Sequence, residues 1–117
     1  MSTRQYLITL SLILCSLNSD AVNTSSGVAL TINSINFYSK QESIYPSHKG
    51  LLQITFITPI TWNNSGNCGS TSVLVRNEDN HIISALLSAN AASTPIRLYA
   101  DDTLKVGQEC YLRTIGL

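Results

Sequence analysis

The sequence predicts a mainly β domain with one helix, in the element order β-β-β-α-β-β, and three observations carry that reading. Short apolar runs alternate at a period of two between clusters of Gly, Pro, Asn and Ser. One stretch alone has helical periodicity. Two cysteines, Cys68 and Cys110, stand at the starts of two of the predicted strands.

Before the first strand, Arg4 and the apolar run Tyr6–Leu17, followed by Ser19, Asp20 and Ala21, have the form of an export signal cleaved after Ala21. The run is shorter than the roughly 20 apolar residues a membrane-crossing helix needs. The expectation is therefore a signal over residues 1–21, a single domain over residues 22–117, and a secreted or periplasmic location. Cys15 is expected to leave with the signal.

Asn23 to Gly27 reads as a flexible start. Val28 to Ile32 alternates as a half-buried strand, and Ile35 and Phe37 continue it on the opposite phase, so a bulge near Asn33 and Ser34 is expected to return both sets to one face. Ser39 to Gly50 is polar and punctuated by Pro46 and Gly50, hence a loop. Leu51 to Ile57 is a second strand with Leu52, Ile54 and Phe56 on one face. An irregular loop holding Trp62 leads to the third strand, Thr71 to Arg76. Asn77 or Asp79 then caps a helix whose stripe is Ile82, Ile83, Leu86, Ala89 and Asn90. No charge appears from Ile82 to Thr94, so the helix is expected to be covered on more than one side, in part by neighbouring subunits. Pro95 stops it. Ile96 to Ala100 is the fourth strand, Asp101 to Gly107 a turn, and Gln108 to Ile115 the fifth strand.

That order is the one found in the five-stranded Greek-key barrel of the OB type. In such a barrel the third and fifth strands run side by side in parallel. Cys68 and Cys110 would then begin at the same end, as a disulfide requires. Two cysteines left in an exported chain favour the same pairing, and without two nearby histidines they do not complete a zinc site. No metal or other cofactor is expected.

Charge is sparse and balanced, with 7 basic and 7 acidic residues, and no basic patch suited to phosphate backbones appears, which argues against nucleic acid as a partner. His48 and His81 have no evident nucleophile or orienting partner in sequence and read as solvated surface residues, so an enzyme is the weakest of the function classes. A sugar site needs aromatic faces beside hydrogen-bonding side chains. Trp62, Asn63, Asn64 and Ser65 supply both kinds within four consecutive positions, and Tyr38 and Tyr45 on the preceding loop can join them. The plainer alternative is that Trp62 covers an open end of the barrel.

From Cys68, through Ser84-Ala85-Leu86-Leu87-Ser88-Ala89 and Ile96-Arg97-Leu98-Tyr99, to Cys110, the chain resembles a set of small exported bacterial proteins. In size, signal, disulfide and element order it is similar to the binding subunits of pentameric bacterial toxins, especially the subtilase cytotoxin B subunit and its pertussis-like relatives. The resemblance implies a pentamer with helices around a pore, a toxin A subunit as partner, and host sialylated glycans as ligands. Ile82, Leu86, Ser88 and Ala92 are the helix residues expected to face the neighbouring subunits. No sugar-contact motif of that family maps onto this chain residue by residue. A secreted or periplasmic module that binds another protein, through a sheet edge or the helix face, is the alternative.

Overall fold

A computed structural model describes residues 23–63 and 67–117. The expected export signal, and Asn64 and Ser65, lie outside the described residues. The elements are β1 (Asn23–Ser25), β2 (Ile32–Phe37), β3 (Leu51–Phe56), β4 (Ser72–Arg76), α1 (Asn80–Ala92), β5 (Arg97–Val106) and β6 (Glu109–Gly116), with a single 3-10 turn at Pro46–His48. Among the described residues the chain is mainly β with one helix and one disulfide, and the strands form an open mixed sheet in the order β1-β5-β6-β4-β3-β2. All neighbours are antiparallel except β4 and β6, which run parallel with Leu74 beside Tyr111.

Strand parity builds the core. Leu52 and Ile54 of β3 pair across to Val75 and Val73 of β4, Phe56 to Ile32 of β2, and they join Leu98 and Leu112 on one face, where α1 adds Ile82, Leu86 and Ala89. Burying each such side chain contributes about 1.5–3 kcal/mol. The bulge expected in β2 is present as a register shift between Ile32 and Ser34, and it turns Ile35 toward the core. Phe37 continues the same phase but reaches beyond the core and stays exposed.

Three expectations are corrected. The start of the chain is not a flexible lead: Asn23 to Ser25 pair with Asp101 to Tyr99, because β5 offers them an open edge. Asp101, paired with Asn23, and Asp102 are likewise strand residues rather than a turn, and β5 runs on to Val106 through an irregular register with β6 between Ala100 and Lys105. The first predicted strand begins late: Val28 and Ala29 are exposed, and Leu30 makes only an isolated bridge to Ile96 before β2 starts at Ile32.

Helix α1 begins after Asp79, whose side chain makes no capping bond, and ends at Ser93 in the left-handed region (φ 53°), whose N–H reaches back to Ala89 and Asn90. It thus ends before Pro95 is reached. Cys68 and Cys110 are bonded, with Cα atoms 5.4 Å apart across a separation of 42 residues. On the chain-entropy account that loop closure stabilises by roughly 4 kcal/mol. Beside it Gly69 donates to the carbonyl of Gln108 at 2.6 Å, and a Cβ at Gly69 would stand 2.9 Å from that oxygen. Only glycine allows the two backbones this approach.

Candidate binding site

The second face of the sheet carries the residues between the core positions. Register places Asn36 beside Gln53, Gln53 beside Leu74, and Thr55 beside Ser72, while Leu74 lies beside Tyr111 of β6. Leu74 is fully buried yet sits outside the main core cluster, so this face has a cover of its own. Its contacts name one piece of that cover, the turn Pro46–His48 within the 39–50 loop, tied down by His48.

Glu109, the first residue of β6, is the centre of the face. Its Oε2 accepts from the Ser72 hydroxyl at 2.6 Å and from the Gln53 amide at 2.7 Å, and its Oε1 lies 2.7 Å from His48 Nε2. The side chains of His48 and Glu109 are only 15% and 17% exposed. A carboxylate can only accept, so His48 carries a proton on Nε2; in the neutral ring Nδ1 then accepts from the Ser47 hydroxyl at 3.1 Å. Burial alone would raise the Glu109 pKa, but the bonds from Ser72, Gln53 and His48, with the charge of His48, hold it below its ordinary value.

The Gln53 carbonyl in turn accepts from Asn36 at 3.1 Å and from the Tyr38 hydroxyl at 3.3 Å. The Tyr38 ring lies 5.1 Å from His48 and 6.1 Å, edge-on, from Tyr45. Tyr45 itself is 56% exposed. The result is an open aromatic surface next to a carboxylate, an amide and an imidazole whose orientations are already fixed.

Of the residues expected to form a sugar site, the structure brings Tyr38 and Tyr45 together and sets Trp62 apart from them. Trp62 packs partly buried against the main core, on the opposite face of the sheet from Tyr38, and donates its indole N–H to Gly69 at 2.9 Å. Asn63 is held at the same place: its N–H bonds Ser25 at 2.7 Å and its carbonyl accepts from the Thr24 hydroxyl. Its side chain fills the space a Cβ at Gly27 would need, and Gly27 has φ +71°. Trp62 is thus part of the packing on the core side of the sheet. His81 is exposed as expected, but the reading of His48 as solvated is corrected, since Glu109 and Tyr38 enclose it.

The helix set is corrected in part. Ile82 and Leu86 are buried in the core of their own chain, because they lie on the stripe that meets the sheet, whereas Ser88 and Ala92 are exposed. Gln53, Ser72 and Glu109 were not singled out from sequence. The available signal was their parity, since each stands out of phase with the core residues of its strand.

No family model, curated protein or solved structure matches the chain. Among the described residues no helix is long and apolar enough to cross a membrane, and no group of three His, Cys, Asp or Glu residues is placed to hold a metal.

Proposed function

We propose that this chain is an exported, non-enzymatic binding module of the toxin B-subunit kind, holding a glycan at the face formed by Tyr38, Tyr45, His48 and Glu109. The observation that carries the reading is the exposed Tyr45 ring set edge-on against Tyr38, whose ring lies beside the His48 that holds the Glu109 carboxylate. A pyranose offers an apolar patch to an aromatic face and hydroxyls to acceptors. Glu109 Oε1 accepts from one donor among the described residues, and a carboxylate oxygen can accept from a second.

Binding fits this site better than catalysis. Ser47, His48 and Glu109 do follow one another in contact, but the amides that come after Ser47 are spent. His48 N–H bonds Tyr45, Lys49 N–H bonds Pro46 and Gly50 N–H bonds Ser39. No pair of them is left to receive an oxyanion.

The finer fold in this reading is the OB-like barrel. It is supported by the strand order β2-β3-β4-β6-β5 with its single parallel pair, and by the bridge in which Leu30 and Ile96 exchange N–H to carbonyl bonds of 2.7 and 2.9 Å. That bridge draws the entry to β2 against the entry to β5. Assembly into a ring, with a toxin A subunit as partner, belongs to the same proposal. The competing reading, a protein partner, is favoured by the charge-free outer side of α1, where Leu87 is 44% exposed.

The test is a broad mammalian glycan array probed with the oxidised mature protein, with the mass in solution measured on the same sample. Retention of one glycan class by a ring-sized oligomer supports the proposal. A monomer that retains no glycan overturns it in favour of a protein partner.

A further inference from the structure

Beyond the Glu109 cluster, Arg76 at the end of β4 and Arg113 of β6 converge on one groove with His81 and Ile82 from the first turn of α1. The groove has two adjoining parts. One, of about 190 Å³, is lined by Arg76, Asp79, Leu104, Tyr111 and Arg113; the other, of about 240 Å³, continues over Ala85 and Ile115, and the two share His81, Ile82 and Arg113.

The charges here are unusual for a chain with so few. Arg76 lies over the Tyr111 ring at 4.9 Å, which fixes its plane without satisfying its N–H groups. Neither arginine donates to a carboxylate among the described residues. Asp101, the acid whose charge Arg113 feels, has its carboxylate turned to the N–H and hydroxyl of Thr103, at 2.9 and 2.6 Å. Asp79 is the one acidic residue in the lining, against two guanidiniums and an imidazole. Apart from Tyr111 and Thr114, the rest of the lining is apolar: Ile82, Ala85, Leu104, Leu112 and Ile115.

We propose that this groove is a second binding site, for a small organic carboxylate whose acid group lies between Arg76 and Arg113 and whose apolar body covers Leu104 and Ile82. Guanidinium forks match a planar carboxylate with two parallel bonds, which a lone lysine does not. The apolar wall excludes a fully hydrated inorganic anion as the best fit and selects an acid with a hydrocarbon portion. The site is independent of the glycan proposal, since it shares no residue with it.

The probe is phenylacetate, titrated into the full domain while the arginine side-chain N–H and backbone amide NMR signals are followed, with phenylacetamide as the uncharged match. The expected result is saturable shifts at Arg76, Arg113 and Tyr111 with phenylacetate and none with phenylacetamide. Arg113→Gln and Arg76→Gln should each weaken binding about tenfold, the loss of roughly one charge-assisted bond. Arg97→Gln, an exposed arginine outside the groove, should leave it unchanged. Equal shifts from the amide, shifts scattered away from the groove, or no saturation would each overturn the proposal, and the wild-type signals give that answer even if a variant fails to fold.

Discussion

On one side of strands β3, β4 and β6 lie Ile54, Val73 and Leu112, held by close packing and sealed by α1; on the other lie Gln53, Ser72 and Glu109, held by directed hydrogen bonds and covered by a loop. The same backbone presents both sets, Gln53 next to Ile54, Ser72 next to Val73, and Glu109 three residues before Leu112. Packing is non-directional and tolerates exchange among side chains of similar volume. A carboxylate with three donors tolerates almost none, because removing it strands each donor. The inner side therefore sets how stable the chain is, and the outer side sets which groups are fixed in place for a ligand.

The largest effect should come from the bond that ties the start of β6, shared by both faces, to the chain entering β4. Replacing Cys68 and Cys110 together by serine should cost about 4 kcal/mol in urea unfolding and loosen both faces at once. Leu86→Ala, which opens a cavity where α1 meets the sheet, should cost about 3 kcal/mol and leave the His48 contact to Glu109 intact. A loss of the His48 contact in that variant would show that the two faces are not separable.

Glu109→Ala should cost less, about 1–2 kcal/mol, because water can reach part of the site and replace some of the lost partners. Its signature is elsewhere: proteolysis within Gln41–Lys49 should quicken, whereas Leu86→Ala should leave it slow in proportion to global stability.

The pH dependence follows from the same carboxylate. Its folded pKa lies below its reference value of 4.5, so its contribution is present above that pH and is lost as pH falls through the lower, folded value. The stability difference between wild type and Glu109→Gln should shrink on going from pH 7 to pH 3. A constant difference would remove Glu109 from the acid response. The smallest effect is expected for Ser34→Ala, which deletes a 2.6 Å hydroxyl pair with Thr55 and should cost under about 1 kcal/mol.

The inner side was the legible one. Alternation in Leu51 to Ile57 and most of the stripe Ile82, Ile83, Leu86, Ala89 and Asn90, of which only Asn90 is exposed, follow from local periodicity, and the bulge at Ile32 and Ser34 was readable as a slip of phase. The pairing of Cys68 with Cys110 followed from compartment and strand order. What failed depended on partners distant in sequence. Asp101 and Asp102 have turn character in isolation, and the pairing of Asp101 with β1 and of the residues on either side with β6 makes a strand of them. Trp62 and Tyr45 look like companions along the chain, yet the loops carrying them leave from different ends of the β2–β3 pair. The Glu109 cluster spans 61 residues to His48 and 37 to Ser72, and no window of local sequence contains it.

The central claim is that the ligand face is the one built on Tyr45 and Glu109, and the direct measurement compares Tyr45→Ala with Trp62→Ala for retention of whatever glycan the wild-type protein holds on the array. The account predicts that Tyr45→Ala abolishes retention while its unfolding midpoint stays near wild type. Trp62→Ala should instead lower the midpoint and keep retention wherever the domain remains folded. Retention by Tyr45→Ala together with its loss in a folded Trp62→Ala would contradict the account and move the site to the opposite face.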